Sequence, residues 1–177
     1  LQDLLDITRL DATRHGKWHD DVNLMQVIAD AIEQIRPQAE KKELVFRNMA
    51  DTEGLAIPGN AIQLQRALVN ILTNAVNYTP SLGSITVSTQ VHDKEKVEIR
   101  IEDTGVGIEP NDLLHIFERF YRADKTRTRQ TGGTGLGLAI TREILYRHHG
   151  TIDVESTVGK GSIFKITLPA KMNSKSK

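Results

Sequence analysis

The 177-residue sequence contains no cysteine, few aromatic residues and no excess of either charge. Without cysteine, disulfide bonds, cysteine-ligated metal sites and cysteine nucleophiles are excluded. A general nucleic-acid binder would need a clear cationic excess, and the formal net charge here is zero. No apolar run approaches the roughly 18 residues of a membrane span. The hydrophobic content of 38% and charged content of 26% predict a soluble globular domain.

Helical periodicity predicts one amphipathic helix beginning after Asn23 and a second one over about 60–77. Asn23 and Asn60 are each followed three residues later by glutamine, which is the spacing of a capping box. Pro37 predicts a kink or an end in the first helix, because proline breaks the backbone hydrogen-bond ladder. The buried stripe predicted for the second helix is Leu64, Leu68, Ile71, Leu72 and Ala75.

The same second helix carries a row of asparagines at positions 70, 74 and 77. Asparagine is a poor helix former, because its side chain competes for backbone hydrogen bonds. A solvated polar face is the simpler explanation on this helix alone. The functional alternative is a row of amide groups offered to a cation and to phosphates.

Alternating apolar residues predict two hairpins, one from strands near 85–89 and 97–101 and one from 151–156 and 162–168. A further strand is expected to begin at 44–46. Residues 54–59, bounded by glycines, are expected to form a loop.

Asp103 continues the parity of the apolar positions in the strand before it, so its carboxylate should face the apolar side. Because burying an unpaired carboxylate is costly, Asp103 needs a hydrogen-bond donor. The donor is either the exocyclic amine of adenine or a neighbouring backbone N–H in an Asx turn. The sequence leaves both open.

Two glycine-bearing loops, DTGVGI at 103–108 and GGTGLGL at 132–138, flank a basic stretch. Between residues 119 and 131 there are five arginines or lysines and one acid. Neither a P-loop nor a Rossmann fingerprint fits, since the required lysine and the required preceding strand are missing. Glycine backbone that leads into a helix N-terminus does attract anions.

Two further helices are predicted, over 110–116 and 134–149. His148 and His149 fall in the last turn of the second one. There the helix dipole favours partial positive charge, and we expect a structural role for both.

In chain order, the Asn-x-x-x-Asn helix, the strand ending in Asp-x-Gly-x-Gly, the Phe-x-x-Phe-Tyr-Arg segment and the Gly-x-Gly-x-Gly helix start closely resemble one known family. It is the catalytic, ATP-binding domain of sensor histidine kinases, a branch of the Bergerat-fold ATP-binding proteins. The resemblance covers residues 20–169. It implies an α/β (α+β) two-layer sandwich. In that fold a mixed, mainly antiparallel sheet of about five strands is covered on one face by three main helices, with a mobile ATP lid.

The resemblance also implies a division of the chain into three parts. Residues 1–18 would be the C-terminal end of a dimerisation and phosphoacceptor helix plus a hinge. Residues 19–170 would be the catalytic domain, and residues 171–177 a disordered tail.

The implied reaction transfers the γ-phosphoryl group of ATP, with Mg²⁺, to a histidine on an upstream dimerisation domain, and then to an aspartate of a response regulator. No His-Glu/Asp-x-x-x-Pro box occurs in residues 1–177, so the chain alone should not phosphorylate itself. The expected partners are the protein's own dimerisation domain and its cognate response regulator, with no nucleic acid and no membrane contact by this chain. A cytoplasmic, homodimeric parent is expected, with a membrane anchor left open. The alternatives are a hydrolytic ATPase of the same fold and a catalytically weak nucleotide-binding scaffold.

The resemblance assigns roles to matching residues. Asn74 would be the principal Mg²⁺ ligand, and Asn70 a second ligand or the organiser of metal-bound water. Asp103 would accept from the adenine amine. The implied nucleotide-binding positions are Asn70, Asn74, Asn77, Tyr78, Asp103, Gly105, Gly107, Ile108, Tyr121, Arg122, Arg127, Gly133, Thr134, Gly135, Leu136, Gly137 and Leu138.

Within that set, Gly105 and Gly107 would let the base approach, and Tyr78 would close on the nucleotide. Arg122 and Arg127 would reach the phosphates, and Arg122 would join the two metal-binding asparagines as a catalytic residue. Phe117 and Phe120 would anchor the lid.

Asn77 departs from the family pattern, because this position is often lysine. Asparagine cannot supply that charge to a phosphate. The resemblance therefore implies modest ATP affinity or autokinase rate, unless Arg122 and Arg127 compensate.

Overall fold

The computed structural model describes residues 21–92, 95–123 and 134–172 of the chain. The helices in this part are α1 (Leu24–Lys41), α2 (Ala61–Tyr78), α3 (Pro110–Leu113) and α4 (Gly137–Arg147). The strands are β1 (Asp21–Asn23), β2 (Val45–Met49), β3 (Leu55–Pro58), β4 (Ser84–His92), β5 (Lys96–Asp103), β6 (Thr151–Thr157), β7 (Gly161–Pro169) and β8 (Lys171–Met172).

Five strands form a mixed sheet in the order β2-β4-β5-β7-β6. The β2–β4 pair is parallel and the other three pairs are antiparallel. A separate small antiparallel sheet has the order β1-β3-β8. The two predicted hairpins are confirmed as β4–β5 and β6–β7. Together with α1, α2 and α4 on one face of the main sheet, they confirm the two-layer sandwich.

Helix α2 lies at the centre of the helical layer and packs against both α1 and α4. All five residues of its predicted stripe are buried. They face the apolar residues of β4, β5 and β7 in the main core. A second, smaller cluster of buried side chains joins α2 to α4 and consists of Ala67, Leu136, Ile140 and Ile144.

Both predicted helix starts are confirmed by their caps. The Asn23 side chain accepts a hydrogen bond from the Gln26 backbone N–H at 3.2 Å, and Asn60 accepts from Gln63 at 3.0 Å. Each bond satisfies one of the N–H groups that a helix start leaves without a partner. Pro37 does not end α1, which continues to Lys41. The proline is on the exposed side, where water can solvate the carbonyl that loses its partner.

Several boundaries differ from the sequence-based predictions. The helix predicted over 110–116 ends at Leu113, and the one predicted over 134–149 ends at Arg147. Residues 54–59 are not a loop throughout, because Leu55–Pro58 form β3 between β1 and β8. A short apolar run without alternation carries no strand periodicity, which is why this strand was missed. Helix α4 begins at Gly137 rather than Thr134. Lys171 and Met172, placed in the tail, pair with β3 through backbone hydrogen bonds instead.

His148, at the end of α4, has a structural role, but its ring is neutral and not positively charged. The ring is fully buried, with Nδ1 2.7 Å from the Ile144 carbonyl and Nε2 accepting from the Asn60 backbone N–H at 3.0 Å. An acceptor at Nε2 requires the neutral ring. Burial accordingly lowers the pKa of His148, the opposite of the dipole expectation.

We expect His148→Leu to lower the free energy of unfolding by about 1–3 kcal/mol, because the partly buried Asn60 N–H loses its acceptor. Since the folded-state pKa of His148 lies below the ordinary value of about 6.5, the stability from the neutral ring is fully present above that pH. It is lost as the pH falls below it. The free energy of unfolding, measured with denaturant above and below that pH, should therefore fall less on acidification in the variant than in the wild type. The exposed neighbour provides the control: His149→Asn should keep most of the wild-type loss of stability on acidification, because the charge of His149 is the smallest of the causes that shift the pKa of His148.

Candidate functional site

Asp103 ends the central strand β5 with its carboxylate inside the protein. Its relative exposure is 6%. Its Oδ1 accepts from the Gly105 backbone N–H at 2.8 Å, and Ser162 is its partner across the β5–β7 pair. Burial raises the pKa of Asp103, and the backbone N–H groups of Gly105 and Ser162 partly oppose the rise. The Asx-turn bond predicted as one alternative is thus present, and a carboxylate has lone pairs for a further donor.

The loop after Asp103 owes its glycines to close packing within the chain. A Cβ on Gly105 would come 2.6 Å from Asp103 Oδ1 and 2.8 Å from the Tyr78 carbonyl oxygen. Gly107 has a φ of +73°, and a Cβ there would overlap the Thr157 carbonyl. The expectation that these glycines serve the approach of a base therefore has a second explanation in the fold itself.

Asn70 and Asn74 lie one helical turn apart on the edge of α2. Asn70 is half-buried, and its Nδ2 donates to the Gly137 carbonyl at 3.1 Å and to Thr141 Oγ1 at 3.3 Å. This bond fixes the first turn of α4 against α2. Asn74 is also half-buried, and its amide has no hydrogen-bond partner in the described part of the chain. The next two predicted positions, Asn77 and Tyr78, are exposed at the end of the helix.

The first turn of α4 presents backbone N–H groups without a side-chain cap. Leu136 occupies the cap position and makes no capping bond. The side chain of Leu136 is instead buried between α2 and α4. Uncapped N–H groups and the helix dipole together favour an anion at this end.

The two ends of the stretch between residues 120 and 135 are held together. The Phe120 backbone N–H donates to the Gly135 carbonyl at 3.0 Å. Gly135 has a φ of +72°, and a Cβ there would come 2.9 Å from the Tyr121 carbonyl oxygen. We call this Phe120–Gly135 contact the clip.

The aromatic residues before the clip differ in their roles. Phe117 packs against the main core, as expected of an anchor. Phe120 is 62% exposed with a φ of +66°, so its backbone forms the clip and its side chain is not an anchor. The Tyr121 hydroxyl donates to Asp112 Oδ1 at 2.6 Å. That bond to Asp112 also raises the pKa of Tyr121.

The structure brings together most of the residues that the sequence singles out, on α2, at the end of β5 and at the start of α4. Arg122 is half-buried and Thr134 is exposed. Ile108 and Leu138 are half-buried and pack against the core. Arg127 and Gly133 lie outside the described residues, so their predicted roles stay predictions.

A family model described as histidine kinase-, DNA gyrase B- and HSP90-like ATPase matches residues 59–172, which is more than half of the chain. The chain belongs to this family. The sensor histidine kinase RppB of Synechocystis sp. is 37% identical over 169 residues, which cover 96% of this chain and 37% of RppB. The sensor histidine kinase WalK of Bacillus subtilis is 37% identical over 175 residues, which cover 97% of this chain and 28% of WalK.

Solved structures agree with the sequence relatives. The mycobacterial sensor histidine kinase MprB superimposes with a TM-score of 0.76 at 28% identity, covering 87% of this chain and 99% of that one. Full-length ShkA in complex with AMPPNP gives 0.82 at 26% identity, covering 97% of this chain and 35% of that one. The chain is therefore an ATP-binding catalytic domain of the sensor histidine kinase type, and it spans well under half of RppB, WalK and ShkA. Within its described residues, no helix has the length and hydrophobicity needed to cross a membrane.

The packing of the loop glycines leads to a paired prediction. We expect Gly107→Ala to cost more stability than Gly159→Ala. Both glycines have a positive φ, +73° at Gly107 and +77° at Gly159. A Cβ at Gly107 would overlap the Thr157 backbone, whereas a Cβ at Gly159 would have no atom within 4 Å. The strained φ alone should cost about 1–2 kcal/mol in each variant, and Gly107→Ala should lose more. Equal shifts of the thermal unfolding midpoint in the two variants would contradict this prediction, because they would mean that the Thr157 backbone moves aside at no cost.

Proposed function

We propose that this domain binds ATP with Mg²⁺ and transfers the γ-phosphoryl group to a histidine on the dimerisation domain of its parent protein, for relay to a response regulator. The observation that carries the proposal is the hydrogen bond from Asn70 to the Gly137 carbonyl. It places the amide-bearing edge of α2 against the uncapped start of α4. This contact supports a proposed cation site and a proposed phosphate site that lie side by side.

Asp103 is the proposed acceptor for the adenine amine. Its carboxylate accepts a backbone hydrogen bond from Gly105, which helps to orient it at the end of β5. A base that offers an exocyclic N–H₂ group adds a donor to a buried acceptor. A base with a carbonyl at that position would place two acceptors together, which is unfavourable in a buried site.

The asparagine pair fits a magnesium ion. Mg²⁺ prefers oxygen ligands and keeps several waters and phosphate oxygens, so one or two protein oxygens suffice. Because Asn70 donates through Nδ2 to Gly137, its Oδ1 stays available as an acceptor, and Asn74 adds a second amide oxygen. When bound, the ion would supply positive charge to offset that of the phosphates. The two amides are the side chains that would hold it.

The start of α4 and Arg122 are the proposed phosphate contacts. Backbone N–H groups at the helix start donate to phosphate oxygens, and a guanidinium group binds them with paired N–H groups. Phosphoryl transfer of this kind depends on positioning and charge neutralisation more than on covalent chemistry. Asn77 is exposed and uncharged, so it contributes no cation here.

ATP hydrolysis, the rival activity within the family, would need a base to activate water. The residue one helical turn before Asn74 is Asn70, and its side-chain amide is a poor proton acceptor. Its Nδ2 is also bonded to the Gly137 carbonyl. These features favour transfer to a histidine over hydrolysis.

The adenine assignment predicts a preference between bases. Wild-type protein should bind a non-hydrolysable ATP analogue about tenfold more tightly than the matching inosine analogue, because a single buried hydrogen bond is lost. Asp103→Asn should reduce this preference, since its amide offers a donor as well as an acceptor. Titration calorimetry with both analogues measures the ratio. An unchanged ratio in the variant would remove Asp103 from the adenine site.

The metal assignment predicts a loss that depends on Mg²⁺. Asn74→Ala should lower analogue affinity in the presence of Mg²⁺ by about tenfold, since one of few protein ligands is removed, and should change it little in chelator. Gln65→Ala, an amide on the opposite side of α2, is the matched control and should behave as wild type. If Asn74→Ala weakened binding equally with and without Mg²⁺, the metal role would be wrong.

Transfer itself is tested by supplying the dimerisation domain of the parent protein in trans. With labelled ATP, acid-labile phosphohistidine should appear on that domain only when the present chain is added, and Asn74→Ala should abolish it. The chain alone should retain no label, because no His-Glu/Asp-x-x-x-Pro box occurs in residues 1–177. Stable label on the isolated chain would contradict this.

A further inference from the structure

The C-terminal end of α2 has an unusually complete set of hydrogen bonds. A helix leaves its last four carbonyls without partners inside the helix. Here the Ala75 carbonyl accepts from the Thr79 backbone and hydroxyl, at 3.0 and 2.6 Å, and the Tyr78 carbonyl accepts from the Val106 N–H at 3.2 Å. The remaining two carbonyls are those of residues 76 and 77.

Lys42 satisfies both of them from another helix. Its ammonium group donates to the Val76 carbonyl at 2.6 Å, to Asn77 at 3.1 Å and to Thr79 at 2.7 Å. An ammonium group has three donors, so all three are used. Helix α2 has no basic residue in its own last turn. Lys42 therefore supplies the positive charge that the C-terminal end of a helix dipole favours.

The position of Lys42 is itself fixed. It is the C-cap of α1, and its backbone N–H donates to the Ala39 carbonyl at 3.1 Å. Partial burial lowers the pKa of Lys42, since desolvation disfavours the charged form. Because all three donors of the Lys42 ammonium group are bonded to backbone carbonyls, none is left for another acceptor. Lys42 cannot also replace the phosphate-binding lysine that Asn77 lacks.

The capped segment touches the proposed adenine loop directly. The Tyr78 carbonyl accepts from Val106, and the same carbonyl leaves no room for a side chain at Gly105. A shift of the backbone at 76–79 would therefore move the loop beside Asp103. It would also move the side chains of Asn74 and Asn77, which extend from the same turns.

We propose that Lys42 is a positioning residue for nucleotide binding, which holds the end of α2 in the register that aligns the asparagine edge with the loop beside Asp103. This inference rests on the proposed nucleotide site. It adds a residue that touches neither ATP nor metal and acts only through backbone carbonyls. Sequence reasoning offers no signal for it, because the contact joins positions more than thirty residues apart.

The test compares Lys42→Met, Lys42→Arg and Lys41→Met in the whole chain. Affinity for a non-hydrolysable ATP analogue with Mg²⁺ is measured at a temperature well below the thermal unfolding midpoint of every variant. Lys42→Met should weaken binding by about threefold or more, and Lys42→Arg should restore much of it, since a guanidinium can also cap carbonyls. Lys41 is exposed and next in sequence, so Lys41→Met should bind as wild type.

A second readout separates positioning from general stability. Hydrogen exchange of the Val106 amide, which bonds the capped turn, should accelerate in Lys42→Met. The amides around the Ile152–Ile166 pair, at the end of the β6–β7 hairpin away from its turn, should not change. Ile35→Val removes a buried methylene from α1 without touching the cap and serves as the destabilised control. It should leave both affinity and Val106 exchange unchanged.

The outcomes are decisive in either direction. Wild-type affinity in Lys42→Met, or an equal loss in Ile35→Val, would overturn the positioning role, and so would a loss that Lys42→Arg does not relieve at all. If Lys42→Met does not fold, Lys42→Gln carries the same comparison. Failure of the nucleotide site itself is distinguishable, because wild-type protein would then show no base preference and no Mg²⁺ dependence.

Discussion

The geometry of the site depends on the burial of one carboxylate at the end of a central strand. With so little access to water, Asp103 needs a donor, and the backbone N–H of Gly105 provides one. For the backbone to come this close, side chains must be absent, and a Cβ at Gly105 or Gly161 would collide with Asp103 itself. The glycines and the path of the loop thus follow from the need to satisfy a single charge.

Helix α2 combines two functions on its two sides. One side supplies the centre of the core, and the other side carries Asn70 and Asn74. A binding residue on such a helix cannot move without disturbing the packing below it, because close-packed interiors resist small shifts. The amide edge is accordingly preorganised by the core. The bond from Asn70 to Gly137 extends this order to the start of α4.

Periodic features could be predicted from the sequence, and single long-range contacts could not. The stripe of α2 and the two hairpins repeat a pattern over many residues, so local order and packing agree there. Strand β3 has only a short apolar run, and its partners are remote in sequence. The neutral state of His148 and the bonds of Lys42 depend on carbonyls and N–H groups from other elements. Side-chain type alone does not reveal such partners.

The Phe120–Gly135 contact has a consequence for how this protein can vary. The described chain on either side of the enclosed stretch meets at one point. The entropic cost of bringing two chain ends together grows slowly with the number of residues between them, by about 0.6 kcal/mol for each doubling of that number. Insertions there should therefore leave the sandwich intact. The number of residues between Phe120 and Gly135 can thus change while the fold that carries Asp103 and the asparagines is kept.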